Sequence, residues 1–135
     1  MIESLQQIEA RVAALAARID APAAALPTYG RTRDGAHPHI EVHGGAYHYV
    51  VVERGIEQEH RRTPALDELL FWIFDDVSSQ MAFAHELRHR IAGQDCRRLA
   101  FAKKLELMGR LDPAYAERAG REITAVLARH PYRDG

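Results

Sequence analysis

Only one cysteine, Cys96, occurs in the 135 residues, so an internal disulfide is excluded. Long hydrophobic runs are also missing, and no stretch approaches the length needed to span a bilayer. The N-terminus, MIESLQQIEARVAALAARI, lacks a basic flank followed by an apolar run, the pattern of a signal peptide. Net charge is only −1 with neutral histidines, so nothing global points to nucleic acid or an anionic membrane surface. Together these absences leave a cytoplasmic protein as the expectation, with Cys96 a packed helix residue. What is present is 47% apolar and 27% charged residues, a globular balance that predicts one domain over 1–135 with a modest core.

Charge is segregated along the chain. Between Asp34 and Glu86 ten acids face three arginines, whereas from Leu87 to Arg110 basic residues dominate. Ser4 and Gln7 form a capping-box start, and Leu5, Ile8, Val12, Leu15 and Ile19 recur at helical spacing, which predicts a helix over residues 1–20. Residues 21–39 are rich in proline and glycine and read as a loop with a short edge strand near Tyr29. Alternation on both sides of Gly44-Gly45 predicts a hairpin, with a third strand over Glu57 to Arg62.

After Pro64 the period becomes helical. Leu66, Leu70, Ile73, Val77, Met81, Ala84, Leu87 and Ile91 predict a core-facing stripe on one long helix, or on two with a joint near Asp75 to Ser79. Asp95 caps a further helix with Phe101, Ala102, Leu105 and Met108 buried. Asp112-Pro113 starts the last one, lined by Ala116, Ala119, Ile123, Val126 and Leu127. The fold class expected is α+β: an N-terminal helix, a small antiparallel meander of two to four strands, and three or four C-terminal helices forming a bundle.

His85-Glu86-Leu87-Arg88-His89 fits H-E-x-x-H, in which two histidines one turn apart hold zinc and the glutamate is the general base. At about 100° per residue, however, both histidines point away from the predicted core stripe while Arg88 lies inside it. The extended motif would need glycine at 92 and histidine at 95, where the chain has Ala92 and Asp95. A small zinc peptidase using His85, Glu86 and His89 is therefore the alternative reading, and no cofactor is expected on the main one. Arg88 in a core sector requires a carboxylate, with Glu53 or Asp95 as candidates for a structural ion pair. His37, His39, His43 and His48 gather on the hairpin and its approach, where His43 and His48 can meet across the turn. They read as polar strand residues rather than ligands. Phe71 and Trp72 flank the helical stripe and are expected to pack, with a partner anchor as the other reading.

The succession Tyr47-His48-Tyr49-Val50-Val51-Val52-Glu53-Arg54-Gly55, then Asp67-Glu68-Leu69-Leu70-Phe71-Trp72-Ile73-Phe74, then Met81-Ala82 with Glu86 and Arg90, then Asp95 with Arg97-Arg98 and Phe101, and finally His130-Pro131-Tyr132, resembles the Immunity protein 63 family of bacterial polymorphic toxin systems. The resemblance covers about residues 26–134. It implies a non-enzymatic antidote that binds a cognate toxin in the producer's cytoplasm, with Glu86 and Arg90 matching the family pattern and His85 and His89 outside it. On that reading the acids Glu57, Glu59, Asp75 and Asp76 are the expected contacts to a basic toxin surface.

Overall fold

The structure, a computed structural model, describes residues 2–135. The chain divides into two compact units, the first ending at Phe74 and the second running from Asp75 to Gly135.

The first unit opens with helix α1, Leu5–Arg18, whose capping box forms as expected: the Ser4 hydroxyl accepts from the Gln7 amide while the Gln7 side chain accepts from the Ser4 amide. Each satisfies one of the donors that a helix start leaves open. Ile8, Val12 and Ala16 form its buried stripe, and α1 lies against the second strand of the sheet. The strands are β1, Thr28–Tyr29; β2, His37–His43; β3, Ala46–Glu53; and β4, Ile56–Thr63, in spatial order β1-β2-β3-β4. Two hairpins share one turn chemistry. Gly44-Gly45 (φ 61° and 70°) and Arg54-Gly55 (φ 53° and 73°) both place two successive residues in the left-handed region, which matches the twist of the flanking strands. Glycine carries no strain there, whereas Arg54 does. Strands β2, β3 and β4 form the expected antiparallel meander, and the short edge strand expected near Tyr29 is β1, which runs parallel to β2. At the other edge Val51 pairs Glu59 but Val52 pairs Glu57, leaving Gln58 as an extra residue in β4. That bulge and the run Glu57, Glu59, His60, Arg61, Arg62 discourage strand addition at the open edge.

Helix α2, Leu66–Arg88, is one continuous helix, the first of the two alternatives, with no joint near Asp75 to Ser79. Leu69, Leu70, Phe71, Ile73 and Phe74 are buried in its first part. Phe71 packs as expected. Trp72 is half-buried, edge-on to Tyr49 at 6.5 Å between centroids, and the Arg61 guanidinium lies over both rings at 4.8 Å and 4.7 Å. Arg61 also approaches Glu59 at 2.8 Å, an ion pair by distance that is not aligned as a hydrogen bond.

In the second unit the predicted stripe of α2 fails beyond Met81. Ala84, Leu87 and Ile91 are exposed, and Ala82 and Glu86 are buried instead. Consecutive three-residue steps from Met81 rotate a sequence stripe backwards by about 60° each, whereas the buried positions continue by four-residue steps through Ser78, Ala82 and Glu86. Helices α3, Cys96–Leu111, and α4, Pro113–Arg129, pack on each other. Their caps are those expected. Asp95 accepts from the Arg97 amide, and Asp112 ends α3 through its own amide while its carboxylate accepts from Ala114 to start α4. Ala100, Leu107, Met108 and Leu111 are the buried positions of α3, so Phe101 and Leu105 sit at the edge of the stripe and Ala102 outside it. Cys96 is exposed, which corrects the packed position expected for it.

Past α4 the chain folds back on α3. Arg97 donates to the carbonyls of His130 and Pro131, Arg98 forks the Asp134 carboxylate, and Tyr132 lies under both guanidinium groups at 5.4 Å and 4.1 Å. Asp95 closes the loop by accepting from the Arg133 amide. The words Asp95, Arg97-Arg98, Phe101 and His130-Pro131-Tyr132, distant in sequence, thus form one clasp.

Candidate functional site

The histidine motif was the sharpest chemical signal, and its geometry is specific. Helix α2 stops at Arg88, so His89 lies just beyond the helix that should carry both ligands. The His89 ring turns back, its Nδ1 donating to the His85 carbonyl at 2.9 Å, and stacks on the His85 ring at 4.2 Å with 27° between planes. A histidine's ligating lone pair lies in its ring plane, so two nearly parallel rings aim their lone pairs alongside each other rather than at one ion. Desolvation, with His89, Lys103 and Arg88 nearby, holds His85 below the ordinary histidine range. Glu86 is committed elsewhere. Its side chain is buried and its two oxygens are forked by Arg90 at 2.8 Å and 3.0 Å, which holds the carboxyl below its usual range. A general base must be open to water and substrate, and this one is neither. Among the described residues no group of three or more His, Cys, Asp or Glu side chains is placed to hold a metal ion.

The ion pair expected at Arg88 is replaced. Arg88 is exposed, because the buried face of α2 rotates away from it, and Glu53 is exposed at the end of β3. Asp95 does form a semi-buried pair, but with Arg97 at 2.9 Å. Hydrogen bonds from the Arg97 side chain, then from the Arg133 and Arg97 amides, hold the Asp95 carboxyl far below the ordinary range. The buried carboxylate on this helix is Glu86 and its cation is Arg90, four residues on and legible in the sequence as an i,i+4 pair.

The four acids expected to meet a partner are distributed over both units. Glu57 and Glu59 are exposed on β4, the first hydrogen-bonded to His60 at 2.7 Å and the second beside Arg61. Asp76 is half-buried on α2 and accepts from Gln80 at 2.8 Å. Asp75 is different in kind. Lys104 Nζ donates to its carboxylate at 2.6 Å, to its carbonyl at 2.8 Å and to Ser79 Oγ at 2.6 Å, so the ammonium is saturated. That trio helps to line a groove of about 370 Å³ in the second unit, together with Ala82, Phe83, Ala100, Phe101, Ala119 and Val126.

The strand histidines come together more fully than their spacing suggested. His39, Glu41 and His43 share one face with His48 and His60, because Glu41 faces His48 and Val50 faces His60 in the register. His43 and His48 stack at 3.8 Å across the turn, and His48 Nδ1 meets His60 Nε2 at 2.8 Å. Glu41 accepts from His39 at 2.7 Å and His43 at 3.1 Å, and these bonds lower its carboxyl from the usual range. His60 was missed because its partner sits twelve residues away on the next strand, a relation only the register supplies.

No curated protein and no solved structure matches the chain. No helix among the described residues is long and apolar enough to cross a membrane. The sequence model of Immunity protein 63 matches residues 43–125, a span that runs from the end of β2 through β3, β4, α2 and α3 into α4 and includes Glu86, Arg90, Asp95 and Arg97-Arg98. With more than half of its length matched, the chain belongs to the Immunity protein 63 family.

Proposed function

We propose that the protein is a non-enzymatic antidote that binds one cognate toxin domain in the cytoplasm and blocks it by non-covalent occlusion. The observation that carries this reading is the family match over residues 43–125. It is supported by the H-E-x-x-H segment, where Glu86 serves Arg90 and the His85 and His89 rings stack, an arrangement suited to a helix end rather than to peptide hydrolysis. The contact residues proposed are Glu57, Glu59, Asp75 and Asp76, whose negative field speeds capture of a basic partner and rejects acidic ones. Exposed Glu57 and Glu59 offer the more accessible pair.

The test is co-expression with the toxin domain encoded beside the gene. Wild-type protein is expected to protect cells and to co-purify with the toxin, and Glu57→Lys/Glu59→Lys to lose both while keeping its circular dichroism and melting temperature. Protection undiminished in that variant and in Asp76→Lys sinks the electrostatic part. Failure of the wild-type protein to bind or protect, or zinc-dependent cleavage of the toxin abolished by His85→Ala/His89→Ala, sinks the antidote reading itself.

A further inference from the structure

Next to the open edge of the sheet, His48 on β3 and His60 on β4 form a diagonal pair, since His60 faces Val50, two residues on from His48. Their facing nitrogens, His48 Nδ1 and His60 Nε2, stand 2.8 Å apart with the rings edge-on at 76°. The outer nitrogen of each ring is already a donor. His48 Nε2 donates to the His43 carbonyl at 3.2 Å, and His60 Nδ1 donates to the Glu57 carboxylate at 2.7 Å. A carbonyl and a carboxylate only accept, so both outer nitrogens carry protons, and each neutral imidazole then has a bare lone pair on its inner nitrogen. Two lone pairs facing each other at 2.8 Å repel unless a cation lies between them. The nearly parallel rings of His85 and His89 have no such convergence.

We infer that His48 Nδ1 and His60 Nε2 are the protein ligands of a site for a divalent transition-metal ion of the copper(II) or nickel(II) class, with solvent completing the coordination. A ligating histidine ordinarily donates its other nitrogen to a carboxylate or a backbone carbonyl, which fixes the tautomer and orients the ring. This pair shows one of each. Nitrogens bound at about 2.0–2.1 Å stand about 2.9 Å apart as cis ligands of a square plane and about 3.3 Å apart in a tetrahedron. The observed 2.8 Å therefore suits the ions that prefer a square plane. Charge nearby also favours a cation: Glu41 faces His48 from β2 and Glu57 holds His60, while Arg62, opposite His48 on β4, is exposed to water. His48 is buried and stacked on the His43 ring at 3.8 Å, so it is the fixed ligand. His60, its side chain 36% exposed on the edge strand, is the one that tilts to bring both lone pairs onto the ion. The bound ion ties β4 to β3.

Isothermal titration of the untagged full chain with copper(II) and with nickel(II), in a buffer that binds neither ion, tests it. One equivalent is expected to bind, copper more tightly than nickel, and the electron paramagnetic resonance spectrum of the copper form is expected to show coupling to two imidazole nitrogens. His60→Ala, at an exposed edge position, is expected to weaken binding at least tenfold with its circular dichroism unchanged. Glu57→Gln is expected to weaken it severalfold, through loss of the carboxylate that orients His60. His85→Ala/His89→Ala is expected to bind as wild type does. Saturating nickel should raise the melting temperature of the wild-type chain and leave that of His60→Ala where it was. Absence of binding by either ion means that only a proton lies between the rings, and overturns the proposal. Binding that His60→Ala leaves intact, an adventitious ion only, overturns it too, as does a copper spectrum with a single nitrogen. Because no toxin is present, the result is independent of whether the antidote reading stands.

Discussion

Replacing Lys104 by methionine removes a cation while keeping most of its apolar stem, and the structure sets the size of the effect. The ammonium donates three short bonds, to the Asp75 carboxylate, the Asp75 carbonyl and Ser79 Oγ, and its side chain is only 12% exposed. Bonds from a charged donor are worth about 1.5–3 kcal/mol where water does not replace them. The Asp75 side chain is 37% exposed, so its carboxylate rehydrates and that part of the loss is small. The carbonyl and the half-buried Ser79 hydroxyl have less access to water and bear the rest. The expected loss is about 2 kcal/mol, which for a chain of this size corresponds to a fall in Tm of about 7 °C. Asp75→Asn should cost about 1 kcal/mol, and the double variant about 1 kcal/mol less than the sum of the two. Urea denaturation followed by circular dichroism measures all three. A Lys104→Met protein within about 0.5 kcal/mol of wild type would refute the reasoning. The consequence reaches the functional proposal. Asp75 carries a structural load that Glu57 and Glu59 do not, so lost protection in an Asp75 variant is informative only where its folding is matched.

Two further outcomes are expected. Glu41, Glu86, Asp95 and Asp134 are all held below the usual carboxylate range by hydrogen bonds from His39, Arg90, Arg97 and Arg98 respectively. Folded values below the unfolded ones contribute stability that is present above about pH 4 and lost as pH falls through the depressed values. Urea midpoints should therefore drop steeply below about pH 4, and less steeply in Asp95→Asn; an identical acid limb in that variant refutes the assignment. Trp72, the chain's one tryptophan, is shielded by Arg61, so Arg61→Ala should shift its emission to the red without unfolding the chain. Unchanged emission would show that the guanidinium does not screen the indole.

Much of the architecture was legible because its determinants are local. The Ser4–Gln7 box, the Gly44-Gly45 turn, and the Asp95 and Asp112 caps each act within four residues, so their residue types announce them. The family resemblance was equally readable, since it rests on the order of such words. Burial on α2 was readable only as far as Met81. Beyond it Leu87 and Ile91 look like core by composition, and only the packing shows Ala82 and Glu86 taking the buried side.

What the sequence by itself determined is the succession of helix, hairpins and capped helices, along with the family to which it belongs. Tertiary structure alone decided which charges find partners: Lys104 reaches back 29 residues to Asp75, Arg98 reaches 36 to Asp134, and His48 finds His60 through strand register. It also turned a catalytic-looking motif into a helix terminus, because the direction of a lone pair and the engagement of a carboxylate are properties of geometry. Residue spacing limits which groups are able to meet, while the balance of desolvation and pairing in the folded chain selects those that do.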